Sequence, residues 1–145
     1  TEDSLEVSKG SFSDYYGNDT PHYAYQNQTQ GTTLISGYAM QSYIYYKGDI
    51  DWFYINHKGD ITVELIVPDG VVYDVTLYPA NISGGILGMP PEESYFAKSS
   101  GSSEQKVIQY NGTSGYPPDG YIIKVDSPTD QFSFLVPYSI SYIRE

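Results

Sequence analysis

The stretch GDIDWFYI, residues 48 to 55, sets two aspartates, Asp49 and Asp51, just ahead of Trp52, the only tryptophan in the chain. Side chains alternate along an extended backbone, so these two carboxylates point to the same side. Carboxylates placed this way suit acid–base catalysis, coordination of a hard cation, or the capping of a turn where a strand begins. Calcium takes six to eight oxygens at about 2.3–2.6 Å, and an acidic loop that meets a strand edge is a natural place to collect them. The plainer alternative is that Asp51 and Asp19 only cap turns and that Asp14 is solvated.

Other chemistries find less support. The two histidines, His22 and His57, lie in a short helical turn and in a connection, and neither sits in a G-x-S-x-G or H-E-x-x-H setting. Both read as surface residues. A glycosidase needs only an acid and a base at a suitable separation, and Glu64, Asp74, Glu92, Glu93 and Glu104 are available. However, Glu64 and Asp74 fall on strand positions expected to face solvent. A third chemistry is stacking, since Tyr43, Tyr45 and Tyr46 crowd one stretch beside Tyr38. Exposed planar rings lie against a sugar or a peptide with little entropy lost on ordering.

Composition narrows the partners. With 18 acidic against 7 basic residues, the formal net charge of −11 repels nucleic acid and anionic lipid and leaves carboxylates free for cations. No nucleic-acid partner and no membrane insertion is expected, because no apolar run approaches the ~18 residues that a span requires. No charged-then-apolar leader opens the chain, so an exported form has lost its signal or has been cut from a longer protein. The absence of cysteine excludes a disulfide framework and thiolate chemistry.

The elements that must position these residues are strands. Tyr occurs 17 times and Gly 14, and the Ala, Leu, Glu and Lys blocks that make long helices are missing. Residues 1–31 read as a lead-in segment with one short helix at HYAYQNQ, started by a capping residue and Pro21. A strand is expected from Thr32 along TTLISGYAM, with SYIYY as its continuation or as an aromatic loop. DWFYI (51–55), ITVELIV (61–67) and VYDVTLY (72–78) alternate with a period of two. His57-Lys58-Gly59-Asp60 and Pro68-Asp69-Gly70 between them suit antiparallel hairpins. Residues 79–104 read as a long loop with a short strand at SYFAK, and QKVIQY, GYIIKV and PYSISYI complete the set. The expectation is an all-β single domain over residues 1–145, with a two-layer antiparallel β-sandwich over residues 32–145.

The landmarks also fall in a recognisable order: Asn18-Asp19, Asp51-Trp52-Phe53, Asp74 with Leu77-Tyr78, Gly120-Tyr121 with Val125, and Tyr138 with Ile140. Over residues 14–143 this order resembles the bacterial pre-peptidase C-terminal domain family, which includes the collagen-binding domains of clostridial collagenases. The resemblance implies a jelly-roll-like, non-catalytic accessory domain of a secreted multidomain protein, located outside the cell or at its surface. Its partner would be an extracellular polymer, protein or polysaccharide, or the parent catalytic domain. It further implies calcium as the cofactor, held by Asp14, Asn18 and Asp19 of the N-terminal segment together with Asp49 and Asp51. The chain departs from the family at Tyr16, where those members carry a second acidic residue. The resemblance carries over no collagen-contacting tyrosine, so Tyr43, Tyr45 and Tyr46 stand as a ligand-binding surface on composition alone. The rival readings are a carbohydrate-binding module that uses those rings and, behind it, a free-standing hydrolase.

Overall fold

A computed structural model describes residues 19–26, 32–113 and 115–144. Among these residues, one short helix, α1 (Pro21–Gln26), precedes ten strands: β1 (Met40–Ile44), β2 (Ile50–Ile55), β3 (Ile61–Ile66), β4 (Asp74–Pro79), β5 (Ile82–Ser83), β6 (Ile86–Leu87), β7 (Ala97–Ser99), β8 (Gln105–Tyr110), β9 (Tyr121–Asp126) and β10 (Ser133–Arg144). Eight of them form two four-stranded antiparallel sheets, ordered β1-β10-β3-β8 and β2-β9-β4-β7, and β5 and β6 make a small separate hairpin. The chain alternates between the sheets at nearly every connection, which is the winding of a jelly roll. The all-β sandwich expected from the sequence is present.

Two expectations need correction. The connections at 57–60 and 68–70 are not hairpins: β2 and β4 belong to one sheet and β3 to the other, so both turns arch across the sandwich. Gly and Asp serve an arch as well as a hairpin, and local turn chemistry does not name the partner strand. The strand expected from Thr32 is also absent. Thr33 makes a single parallel bridge with Tyr54, the chain then turns through Gly37 at φ +87°, and the strand begins only at Met40.

The inner faces of both sheets supply the main core, with Phe53, Ile55, Val75, Leu77, Ile123 and Val125 facing Ile61, Val63, Leu65, Ile108 and Ile140. A second cluster lies on the outer face of β2-β9-β4, where Trp52, Tyr54, Tyr78 and Ile122 pack under Ala24 of α1 and Leu87 of β6. This outer cover explains why β2 and β4 are buried almost without alternation, whereas β8, open on one side, alternates. Among the described residues, no helix is long and apolar enough to cross a membrane.

Candidate metal centre

Three short segments meet at one end of the sandwich. The first is the start of α1. Thr20, not Asp19, caps this helix: its Oγ1 accepts from the Tyr23 amide at 3.2 Å, and Pro21 fills the first helical position, where no N–H is needed. The helix is tied down by the Thr32 hydroxyl, which donates to the Ala24 carbonyl at 2.8 Å. The Leu87 amide donates to His22 Nδ1 at 3.3 Å, and the Tyr25 ring meets Tyr54 edge-on at 5.1 Å. His22 is therefore an anchor between α1 and β6 rather than a plain surface residue. With capping done by its neighbour, the Asp19 side chain turns to the sandwich.

The second segment is the turn from Tyr46 to Asp49. Gly48 holds φ +84° at its third position, a conformation that L side chains disfavour, and the Asp49 amide closes the turn on the Tyr46 carbonyl at 3.0 Å. Asp49 also works locally, since its Oδ2 accepts from the Tyr45 amide at 2.9 Å. The third segment is β2 itself. Asp51 shares the inward face with Phe53, and its Oδ2 accepts the hydroxyl proton of Tyr138 on β10.

One carboxylate oxygen from each of Asp19, Asp49 and Asp51 lies within 4.8 Å of the other two. Asp49 and Asp51 are 2 % and 0 % exposed, so two of the three acids have left bulk water. Burial is costly for an ionised carboxylate, and a like charge adds to the cost. Burial, and then the charge of Asp49, push Asp19 up to about 7 from an ordinary 3.8. The phenol of Tyr73 is pushed up to about 12, first by burial and also by the charges of Asp51 and Asp49, although a backbone contact at Ser133 opposes this. Tyr73 and Tyr138 meet edge-on at 5.9 Å, so the cluster rests on an aromatic floor.

This donor set fits a hard cation. All three donors are oxygens, the chelating groups come from separate elements, and the buried Oδ1 of Asp19 has no hydrogen-bond donor. The structure thus brings together three of the five residues expected as ligands. Asp14 and Asn18 lie outside the described residues. Tyr73, just before β4, and Tyr138 on β10 join the centre from far along the chain; the sequence marked Tyr138 only as a landmark of the resemblance, and no local pattern assigns either ring to the centre.

The tyrosine surface takes a different form from the one expected. Tyr45 is 1 % exposed, while Tyr43 and Tyr46 are half-buried, and the Tyr43 and Tyr45 rings stack with centroids 5.0 Å apart. The stretch ends in the Tyr46–Asp49 turn, which folds Tyr45 inward. Asp74 is buried as well, not solvated, and pairs with Lys98 at 3.7 Å. The outer face of the second sheet does hold an open cleft of about 480 Å³, lined by Asp19, Trp52, Tyr78, Glu92, Lys124 and Asp126 among others. Its aromatic floor is already covered, because the Lys124 ammonium stands 5.9 Å from the centres of both the Trp52 and the Tyr78 rings.

No protein-family model matches the chain, and no curated protein matches it. Solved structures do. The pre-peptidase C-terminal domain of collagenase from Bacillus anthracis aligns with a TM-score of 0.54 over 76 % of this chain and 91 % of that one, at 13 % identity. The Yersinia pseudotuberculosis-derived mitogen aligns with a TM-score of 0.50 over 74 % and 85 %, at 14 % identity. At such identities the likeness is one of fold, and the pre-peptidase resemblance read from the order of landmarks holds at that level.

Proposed function

We propose that this jelly roll is a non-catalytic accessory domain of a larger exported protein, ordered by calcium, which binds an extracellular polymer or packs against its parent's catalytic domain. The observation that carries the reading is the convergence of Asp19, Asp49 and Asp51 within 4.8 Å. Nothing else in the described chain gathers so many hard oxygens in so dry a place. Calcium would neutralise the mutual repulsion of the three carboxylates. It would also fix the start of α1, the Tyr46–Asp49 turn and β2 to one another. Asp14 and Asn18, carried over from the family resemblance, are the proposed further ligands.

Thermal unfolding with calcium and with chelator tests this reading. A ligand that binds only the folded state adds about 2.7 kcal/mol at a hundredfold excess over its dissociation constant. For a domain of this size that is a rise of roughly 5–10 °C. Magnesium, which demands a smaller octahedral shell, should give less. Coincident curves with and without calcium would remove the metal from the proposal.

Carbohydrate binding is the second reading, and the observation in its favour is the open cleft of about 480 Å³, where Glu92, Asp126 and Lys124 offer polar groups to a sugar. Pulldown on insoluble polysaccharides against collagen separates a sugar-binding module from a protein-binding one. Among the carboxyl pairs a hydrolase would need, Glu104 and Asp69 are hydrogen-bonded to each other, which raises the pKa of Glu104, but the pair stands fully in solvent. That setting offers no cleft around the acid and base.

A further inference from the structure

The first sheet breaks its own ladder to expose apolar side chains. Between β1 and β10, Ser42 pairs with Tyr138 and Ile44 with Ser133, so the single residue Tyr43 stands against Phe134, Leu135, Val136 and Pro137. An ordinary bulge inserts one extra residue. Here the surplus is pushed outward as a knob, held at its base by the Val136 amide donating to Ser133 Oγ at 3.1 Å. Leu135 is 80 % exposed, Phe132, Phe134 and Val136 are each about half exposed, and the two phenylalanine rings stack at 6.3 Å. Contiguous exposed apolar surface of this kind is seldom left uncovered without a function.

The same chain carries a matching hollow. A pocket of about 330 Å³ is lined by Thr33, Leu34, Ile35, Tyr38, Ala39 and Met40, with Tyr38 71 % exposed at its mouth. Met40 begins β1 and Ile44 ends it, so pocket and knob stand at opposite ends of one strand, roughly 13 Å apart along it. One molecule therefore cannot fill its own pocket. Charge agrees with shape. Exposed Asp130 lies two residues before Phe132 at the base of the knob, and the backbone of Arg144, the only arginine, is tied to Ser36 of the pocket loop at 3.1 Å.

We infer that the domain associates head to tail, the Phe132–Val136 knob of one copy seating in the Thr33–Met40 pocket of the next, with Asp130 facing Arg144. Joined head to tail, the contact is heterologous and each added copy leaves one free knob and one free pocket, whereas reciprocal seating of both would close a two-fold dimer. A contact confined to one knob and one pocket of about 330 Å³ falls short of the ~1,200 Å² of a standard stable interface, so the association is weak and reversible. At −11 per copy, long-range repulsion opposes it, and salt screens that repulsion.

Sedimentation velocity in chelator, with about 0.3 M salt and protein from roughly 20 µM to 1 mM, makes the test independent of the metal. The wild type should grow past dimer as concentration rises, and more so with added salt. A knob variant, Leu135→Asp with Val136→Asp, and a pocket variant, Ala39→Glu, should each stay monomeric. Their equimolar mixture has one intact knob and one intact pocket, and should form a dimer that grows no further. Asp130→Asn, which tolerates the left-handed backbone at this position (φ 58°), should weaken wild-type association about two- to fivefold. Circular dichroism checks each fold, and Leu135→Ser replaces the knob variant if that one does not fold. A wild type that stays monomeric at about 1 mM or stops at dimer, single variants that associate like the wild type, or a mixture that recovers no dimer would each overturn the inference.

Discussion

In chelator, the domain should lose stability as pH rises from about 4 to 7.5, and Asp19 should account for much of the loss. Burial and the Asp49 charge raise its carboxyl from 3.8 to about 7. A raised carboxyl binds its proton more tightly in the folded state than in the unfolded one. Its contribution is therefore fully present below pH 4 and is lost as pH rises through 7. Three units at 1.36 kcal/mol each would give roughly 4 kcal/mol. Asp19 is only half-buried, and solvent screening reduces this to about 1–2 kcal/mol. That corresponds to a fall of roughly 2–8 °C in Tm. Asp126 is also raised, mainly by burial, and contributes with the same sign, so the decisive comparison is with Asp19→Asn, which cannot titrate. The assay is a Tm series from pH 4 to 8 for both proteins, with and without calcium. The wild type should fall more steeply than the variant in chelator, and its gain from calcium should grow with pH as metal displaces the proton. Parallel slopes for the two proteins in chelator would refute this account of Asp19.

Gly48→Ala should cost about 1–2 kcal/mol, since the turn holds φ +84° there, and it should weaken calcium binding by displacing Asp49; denaturant unfolding and calorimetric titration measure the two effects. Tyr138→Phe removes the hydroxyl that donates to buried Asp51 and should cost about 1–3 kcal/mol in chelator, with a smaller loss in calcium, which denaturant midpoints in the two buffers would show.

What could be read from the sequence depended on how local the cause was. β3 and β8 alternate because one face meets the core and the other is open, and their limits were expected within a residue. β2 is buried on both faces by α1 and by β6, some 30 residues on either side, and its tryptophan packs outside the main core for that reason. Asp49 and Asp51 were legible because strand geometry alone puts them on one side. Asp19 needed the helix to dock, and it was free to join them only because Thr20 took the capping role. Tyr138 stands 87 residues from Asp51 and reaches it only through the jelly-roll winding, so no spacing rule could reveal it. Tyr45 misled because alternation places a ring without saying which face the next turn will close.

The strand order carries a consequence for how the chain is made. In each sheet the strand synthesised last lies inside: β10 between β1 and β3, and β9 between β2 and β4. Until both emerge, β1 and β2 have no ladder partner in their own sheets, and β3 and β4 each lack one. Pairing β1 with β10 closes a loop of nearly 90 residues, a slow step whose entropy cost precedes its reward. Before its final strands are free, a nascent chain of this topology can pair only β3 with β8 and β4 with β7 within the two sheets, so both sheets are completed from the inside and only at the end of synthesis.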